Sequence, residues 1–265
     1  MPIIHNEILA VINCLDSSKS SGAHNIPVKF IKLSTNVIAP MLCDLYDYSI
    51  TSGVFPDILK LAHVIPVHKS GPKEICNNYK LASLLSPFAK IFEKCLYNQL
   101  NTFFSSFQLL IKQQFGFWQN HMSLAVSSIC NAFVQCLDEG KIACSIFLVL
   151  AKAFDTVDHT ILLSKLERYG IRGLPLQLMK SYLTNRYQRT LVNSLKSNEK
   201  LVTSGVPQGS TLGPFLFLVY INDLALASEF NVRMFADNTN LNMVFDNYLS
   251  LQTKVNCEIK KLVIG

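Results

Sequence analysis

Apolar residues recur at helical spacing from the start of the chain. Ile3, Ile4, Ile8, Ile12 and Leu15 fall on one face of a predicted helix. The polar stretch "SSKSSGAHNIP" reads as a loop, and a second helical region runs from Pro27 towards Ser52, with Gly53 placed to end it. "LAHVIPVHKSGPK" reads as a strand entering a turn at Ser70-Gly71-Pro72. "SPFAKIFEKCLYNQLNTFF" is amphipathic at helical spacing, with Ser86 as the expected cap and Pro87 at the first helical position. A further helix is expected from Ser123 to Asp138, stopping at Gly140.

The second half interleaves the two periodicities. Ile146 to Leu150 is a bare apolar run of strand length, and the residues after it carry Lys152, Asp155, Asp158 and His159. "HTILLSKLERYG" predicts a helix, another starts near Pro175, and "YQRTLVNSLKSNEKLVTSG" reads as a β-hairpin. After "GVPQGS", Ser210 is placed to cap a very apolar helix reaching about Leu226. "VRMFADNTNLNMVF" predicts two short strands around an Asp-Asn turn. A helix-rich first half followed by interleaved strands and helices makes the fold class α+β.

Composition narrows the picture. The chain has 265 residues, 49% of them hydrophobic and 16% charged, enough for one large domain or two modest ones with an ample core. A net charge of +6 permits nucleic-acid binding without demonstrating it. The eight cysteines show no C-x-x-C spacing, which argues against a zinc ribbon or a thioredoxin-type site. "MPIIHNEILAVINCL" lacks a basic leader and "PFLFLVYI" is too short to span a bilayer. No signal peptide or transmembrane segment is expected, and the expected location is intracellular, nucleus or cytoplasm.

Two short segments carry candidate chemistry. In "FADN", Asp237 and Asn238 suit a hairpin turn and need do nothing more. "GVPQGSTLGP" crowds glycines, prolines and a glutamine before an apolar helix. Gly205 and Gly209 let a ligand approach the backbone, and Gln208 supplies a neutral donor and acceptor, although a structural loop would account for them equally.

Taken in order, these segments resemble the reverse transcriptases of non-LTR (LINE-type) retrotransposons. "FLVLAKAFDTVDH", "SGVPQGSTLGPFLFLVYINDL" and "FADN" are similar to three palm segments of that family. "SSKSSGAHNIP", "HVIPVHKSGPKEICNNYKLASLLSPFAKIFEKCLYNQL" and "QFGF" are similar to its fingers segments. The resemblance covers nearly the whole chain. It implies a right-hand polymerase fold: fingers and the fingers–palm connection over 1–140, and over 141–265 a palm truncated before the thumb. It implies an RNA-directed DNA polymerase whose partners are an RNA template, a DNA primer and deoxynucleoside triphosphates, with two Mg²⁺ ions as cofactors.

The resemblance also assigns roles residue by residue. Val149 stands where the family has a metal-bridging aspartate, and Asp237-Asn238 stands where it has Asp-Asp. Asp237, with the backbone carbonyl of Leu150, is left to hold metal. Phe154 matches the residue under the incoming sugar, Gln208 and Gly209 match the loop beside nucleotide and template, and Lys69 and Lys73 fall where fingers residues approach phosphate. Lys80 replaces the usual arginine, whose planar two-point grip lysine cannot make, and Leu81 replaces a proline. Trp118 stands where a basic residue is usual. Asp155 lies six residues past Val149, about 9 Å away even along a helix, so it does not replace the missing ligand. It is expected, with Asp158, to cap the following helix. The implied outcome is a degenerate active site, with a non-catalytic nucleic-acid-binding remnant as the alternative.

Overall fold

The computed structural model describes residues 2–18, 21–116, 121–150, 152–193 and 195–264. Phe117 of "QFGF", Trp118, Ala151 and Ser194 lie outside the described residues. The chain divides into two compact units, each built from two stretches of sequence: residues 1–107 with 154–216, and residues 108–153 with 217–265.

The first unit opens with α1 (His5–Cys14), α2 (Val28–Leu33) and α3 (Thr35–Ser52). Ile3, Ile8 and Ile12 are buried as the periodicity predicts, whereas Ile4 faces out. The single expected helix from Pro27 is two, because the backbone departs from helical geometry at Ser34. Gly53 ends α3 in the left-handed conformation with φ 69°. Strand β1 (Ala62–His68) pairs antiparallel with β2 (Tyr79–Leu84), a strand the hydrophobic pattern did not single out. Helix α4 (Pro87–Ser106) follows, burying Ala89, Phe92, Glu93, Leu96, Leu100 and Phe104 along one stripe. Phe92 stacks on Tyr46 at 4.4 Å and on Phe55 at 5.1 Å, and Phe55 meets Tyr182 edge-on. Ser86 precedes Pro87 as expected but makes no capping hydrogen bond; its hydroxyl is buried.

The second unit contributes α5 (His121–Asp138) and β3 (Ile142–Val149), after which the chain returns to the first unit through α6 (His159–Arg168) and α7 (Leu174–Leu183). The expected hairpin is β4 (Arg186–Val192) and β5 (Leu195–Lys196), but β6 (Lys200–Val202) also pairs with β4. β4 runs parallel to β1, so this sheet has the order β2-β1-β4-β5 with β6 beside β4. Helix α8 (Gly213–Ile221) is shorter than its apolar sequence suggests, since a separate 3-10 turn covers Leu224–Leu226.

Strands β7 (Asn231–Phe235) and β8 (Asn238–Phe245) and helix α9 (Tyr248–Ile264) complete the second unit. Its sheet has the order β3-β8-β7, all antiparallel. Val232, Met234, Leu241 and Met243 form its buried apolar side. The mixed α+β class expected from sequence is what the fold shows. No helix among the described residues is long and apolar enough to cross a membrane.

Candidate active site

In the second unit, the β7–β8 hairpin turns on Ala236 and Asp237, and Asn238 already belongs to β8. The turn is therefore Ala-Asp, one residue earlier than the expected Asp-Asn. A two-residue hairpin loop favours positive φ, and Ala236 adopts φ 55°. The turn is held from two sides. On one, Val149 pairs with Asn238 at the last rung of the β3–β8 ladder, and the Leu150 N–H donates to the Asp237 carbonyl at 3.0 Å. On the other, the Phe115 N–H donates to the Met234 carbonyl at 2.8 Å, and the Met234 N–H donates to that of Gln113 at 2.9 Å. Gly116 then lies so close that a Cβ there would sit 2.2 Å from the Ala236 nitrogen.

The structure thus gathers Val149, Leu150, Asp237 and Asn238 at one end of one sheet. Val149 and Asn238, being directly opposed across an antiparallel ladder, project to the same face. Val149 is 70% exposed, Asn238 is exposed and Asp237 half-buried. The solvent-facing partner of Asn238 is an isopropyl group with nothing to donate or accept.

In the first unit, the "GVPQGS" loop is closed onto the segment before α6. The Val206 N–H donates to the Phe154 carbonyl at 2.7 Å, the Gly205 N–H to that of Val157 at 2.8 Å, and the Ser204 hydroxyl to that of Asp155 at 3.2 Å. Gly205 has φ 84°, and a Cβ there would lie 2.7 Å from the Asp155 carbonyl oxygen. His159 Nε2 bonds to the Gly205 carbonyl at 2.8 Å. Gln208 donates from Nε2 to Asp155 Oδ1 at 3.0 Å. Asp155 therefore holds Gln208 rather than capping α6. The cap is Asp158 alone, accepting from the N–H groups of Thr160 and Ile161 at 2.8 and 3.0 Å.

The other side of the loop rests on β2, an edge strand. The Ser83 N–H donates to the Gln208 carbonyl at 2.8 Å, and a Cβ on Gly209 would lie 2.8 Å from the Ser83 oxygen. Lys80 lies on β2, and Lys69 and Lys73 lie in the connection between β1 and β2, all three exposed. Lys80 pairs with Val67, and the Lys69 N–H bonds to the Asn78 carbonyl at 2.8 Å. Phe154, Gln208, Gly209 and the three lysines are thus linked through one unit.

Beneath the loop lies a buried carboxylate. Glu93 of α4 is 0% exposed and accepts from the Thr211 N–H at 2.7 Å and the Tyr182 hydroxyl at 3.1 Å. Burial pushes its carboxyl above the ordinary glutamate range, with the nearby Arg186 and the hydrogen bonds opposing the rise. The sequence carried a signal for it: Glu93 falls on the apolar stripe of α4. Gly116 lay within the recognised "QFGF" segment. Ser83 acts through a backbone contact, for which side-chain type gave no cue, whereas His159 acts through its ring, bonding the Gly205 carbonyl 46 residues away.

Comparison with known proteins decides the family. Residues 67–253 match the reverse transcriptase (RNA-dependent DNA polymerase) family. The chain belongs to that family. It is 30% identical over 239 residues to the probable RNA-directed DNA polymerase from transposon BS of Drosophila melanogaster, covering 87% of this chain and 26% of the relative. It is 31% identical over 221 residues to the RNA-directed DNA polymerase from mobile element jockey of the same fly, covering 82% and 24%. The chain thus spans about a quarter of the length of these relatives.

The reverse transcriptase family implies divalent metal. Mg²⁺ takes hard oxygen ligands in near-octahedral geometry, and carboxylates supply the neutralising charge. At the Ala236-Asp237 turn this chain offers one carboxylate, one neutral amide and backbone carbonyls. Among the described residues no group of three or more His, Cys, Asp or Glu side chains is placed to hold a metal. This donor set does not fit a pair of magnesium ions.

Proposed function

We propose that this chain is a reverse transcriptase domain of a non-LTR retroelement that has lost nucleotidyl transfer. The observation that carries the reading is the Val149–Asn238 rung beside Asp237. Family resemblance places metal-binding aspartates at the first two positions, and here neither side chain carries charge. Asp237 remains as the metal-facing carboxylate, with the Leu150 carbonyl beside it. In this reading residues 1–140 serve as fingers and fingers–palm connection and 141–265 as palm. Phe154, Gln208 and Gly209 face the incoming nucleotide, and Lys69, Lys73 and Lys80 face phosphate. The test is primer extension on an RNA template with Mg²⁺ and all four deoxynucleotides, comparing the chain with its Asp237→Ala variant. Equal, background-level extension is expected. Extension by the chain that the variant lacks would overturn the reading.

A second reading is that the domain still holds nucleic acid. Three exposed lysines on β2 and the connection leading into it, a strand joined to the "GVPQGS" loop through Ser83, favour it. It predicts salt-dependent binding of an RNA–DNA hybrid. Affinity at low salt no better than that of an unrelated protein of equal net charge would remove it.

A further inference from the structure

Helices α2 and α3 leave a line of large apolar side chains in solvent. Phe30, Leu33, Val37, Met41, Leu45 and Tyr48 are 63%, 75%, 71%, 68%, 46% and 71% exposed. The opposite side of α3, with Ala39, Leu42, Tyr46 and Ser49, is buried in the unit's core. The line is therefore a second apolar face on helices whose first is already used. Although the backbone departs from helical geometry at Ser34, main-chain bonds bridge the two helices: the Ser34 N–H donates to the Phe30 carbonyl, and the Ser34 carbonyl accepts from the Ile38 N–H, each at 3.0 Å. Six such side chains leave on the order of 700 Å² of apolar surface, more than the largest patch of an ordinary monomer and close to the share each partner gives to a stable interface.

The spacing of the line identifies its occupant. Successive members are 3, 4, 4, 4 and 3 residues apart. That series reads the same in both directions, so the face is complementary to itself when turned end for end. An antiparallel pairing about an axis midway between Val37 and Met41 sets Phe30 against Tyr48, Leu33 against Leu45 and Val37 against Met41 of the other copy, and repeats each contact by symmetry. Charge agrees with this direction. Exposed Lys29 stands at one end of the line and exposed Asp44 near the other, while Lys32 and Asp47 turn to the N-terminal segment, bonding the Asn13 carbonyl at 2.9 Å and the Ile3 N–H at 2.6 Å. Antiparallel pairing lays each basic end on an acidic end, whereas parallel pairing would set like charges together.

We propose that α2 and α3 form a self-association surface through which two copies of this chain pair antiparallel. The dimer rests on the fold of the first unit alone and stands or falls separately from the reading of the metal site. The test is mass by light scattering across a concentration series. The chain should rise from 29.7 kDa towards twice that mass. Met41→Glu, with an unchanged circular-dichroism spectrum, should stay monomeric. Two charge variants then test direction. Lys29→Glu, and separately Asp44→Lys, should each weaken self-association by about tenfold, and mixing the two should restore a dimer containing one of each. A constant monomer mass up to about 100 μM would overturn the proposal. So would dimers that Met41→Glu leaves intact, or charge variants that fail to recover on mixing.

Discussion

Val149 and Asn238 face each other at the last rung of the β3–β8 ladder, one residue from the Asp237 turn. The ladder fixes the backbone at both positions, so a carboxylate placed at either would project to the same face of the sheet end. Val149→Asp with Asn238→Asp is therefore expected to create metal affinity where the unaltered chain has little. Two added carboxylates should tighten Mn²⁺ binding by at least about tenfold, read by titration calorimetry or by loss of the free-ion resonance signal. If the double variant binds no better than the parent, the rung does not position metal ligands.

Gly205 is needed for two reasons that add. Its φ of 84° suits glycine, and its missing Cβ admits the Asp155 backbone. Gly205→Ala should destabilise the first unit by about 2–4 kcal/mol, combining positive-φ strain with a backbone clash. The measurement is the urea midpoint at constant slope. A change under about 0.5 kcal/mol would mean the loop shifts freely and is not locked to Asp155.

The Ala236 turn offers substitutions of opposite sign. Ala236 holds φ 55° with a Cβ, so Ala236→Gly should stabilise the hairpin by about 0.5–1 kcal/mol. Gly116→Ala should do the reverse more strongly, because its Cβ would meet the Ala236 nitrogen. Thermal melts of both variants check this, and the same sign for both would refute the packing of Gly116 on the turn.

Helix periodicity was legible in the sequence because the buried stripes of α1 and α4 are long, and glycine at 53 marked a stop that the backbone needs. The class α+β followed from those elements. Three features were not legible. The break at Ser34 occurs within an otherwise helical pattern. β2 is an edge strand with exposed Lys80 and Leu81, so it lacks the apolar alternation of a covered strand. The joining of Asp155 to Gln208 spans 53 residues, and local spacing gave Asp155 a capping role that Asp158 fills alone. At the candidate site, resemblance marked Val149 and Asn238 individually. That they are cross-strand partners is a matter of register, which hydrophobic alternation fixes only to within two residues.

The three exposed lysines predict a salt effect. If Lys69 and Lys80 contact phosphate, Lys69→Gln and Lys80→Gln should each weaken RNA–DNA hybrid binding. Each should also reduce the slope of log affinity against log salt by about one. Lys165→Gln on α6 serves as the control for a general loss of charge. Equal effects from all three would show a diffuse field rather than a contact surface.

Glu93 links the loop to pH. Its carboxyl is held above the ordinary value of 4.5 by burial, so between 4.5 and its folded value the native state binds more protons than the unfolded state. Stability contributed by this group is therefore fully present below 4.5 and is lost as pH rises through the folded value. Glu93→Gln removes the titration while keeping an oxygen for the Thr211 N–H or the Tyr182 hydroxyl. The stability of the parent relative to this variant should fall as pH is raised from 4.5 through the folded value and level off above it. Glu93→Leu, which leaves Thr211, Tyr182 and Arg186 facing an apolar group, should cost about 3 kcal/mol or more. Urea unfolding of the three proteins across that pH range separates the effects. A parent-to-glutamine difference that does not change with pH would show that Glu93 titrates alike in the folded and unfolded chains. The buried carboxylate would then be held at its ordinary value by Arg186 and its hydrogen bonds, against the desolvation that this position imposes.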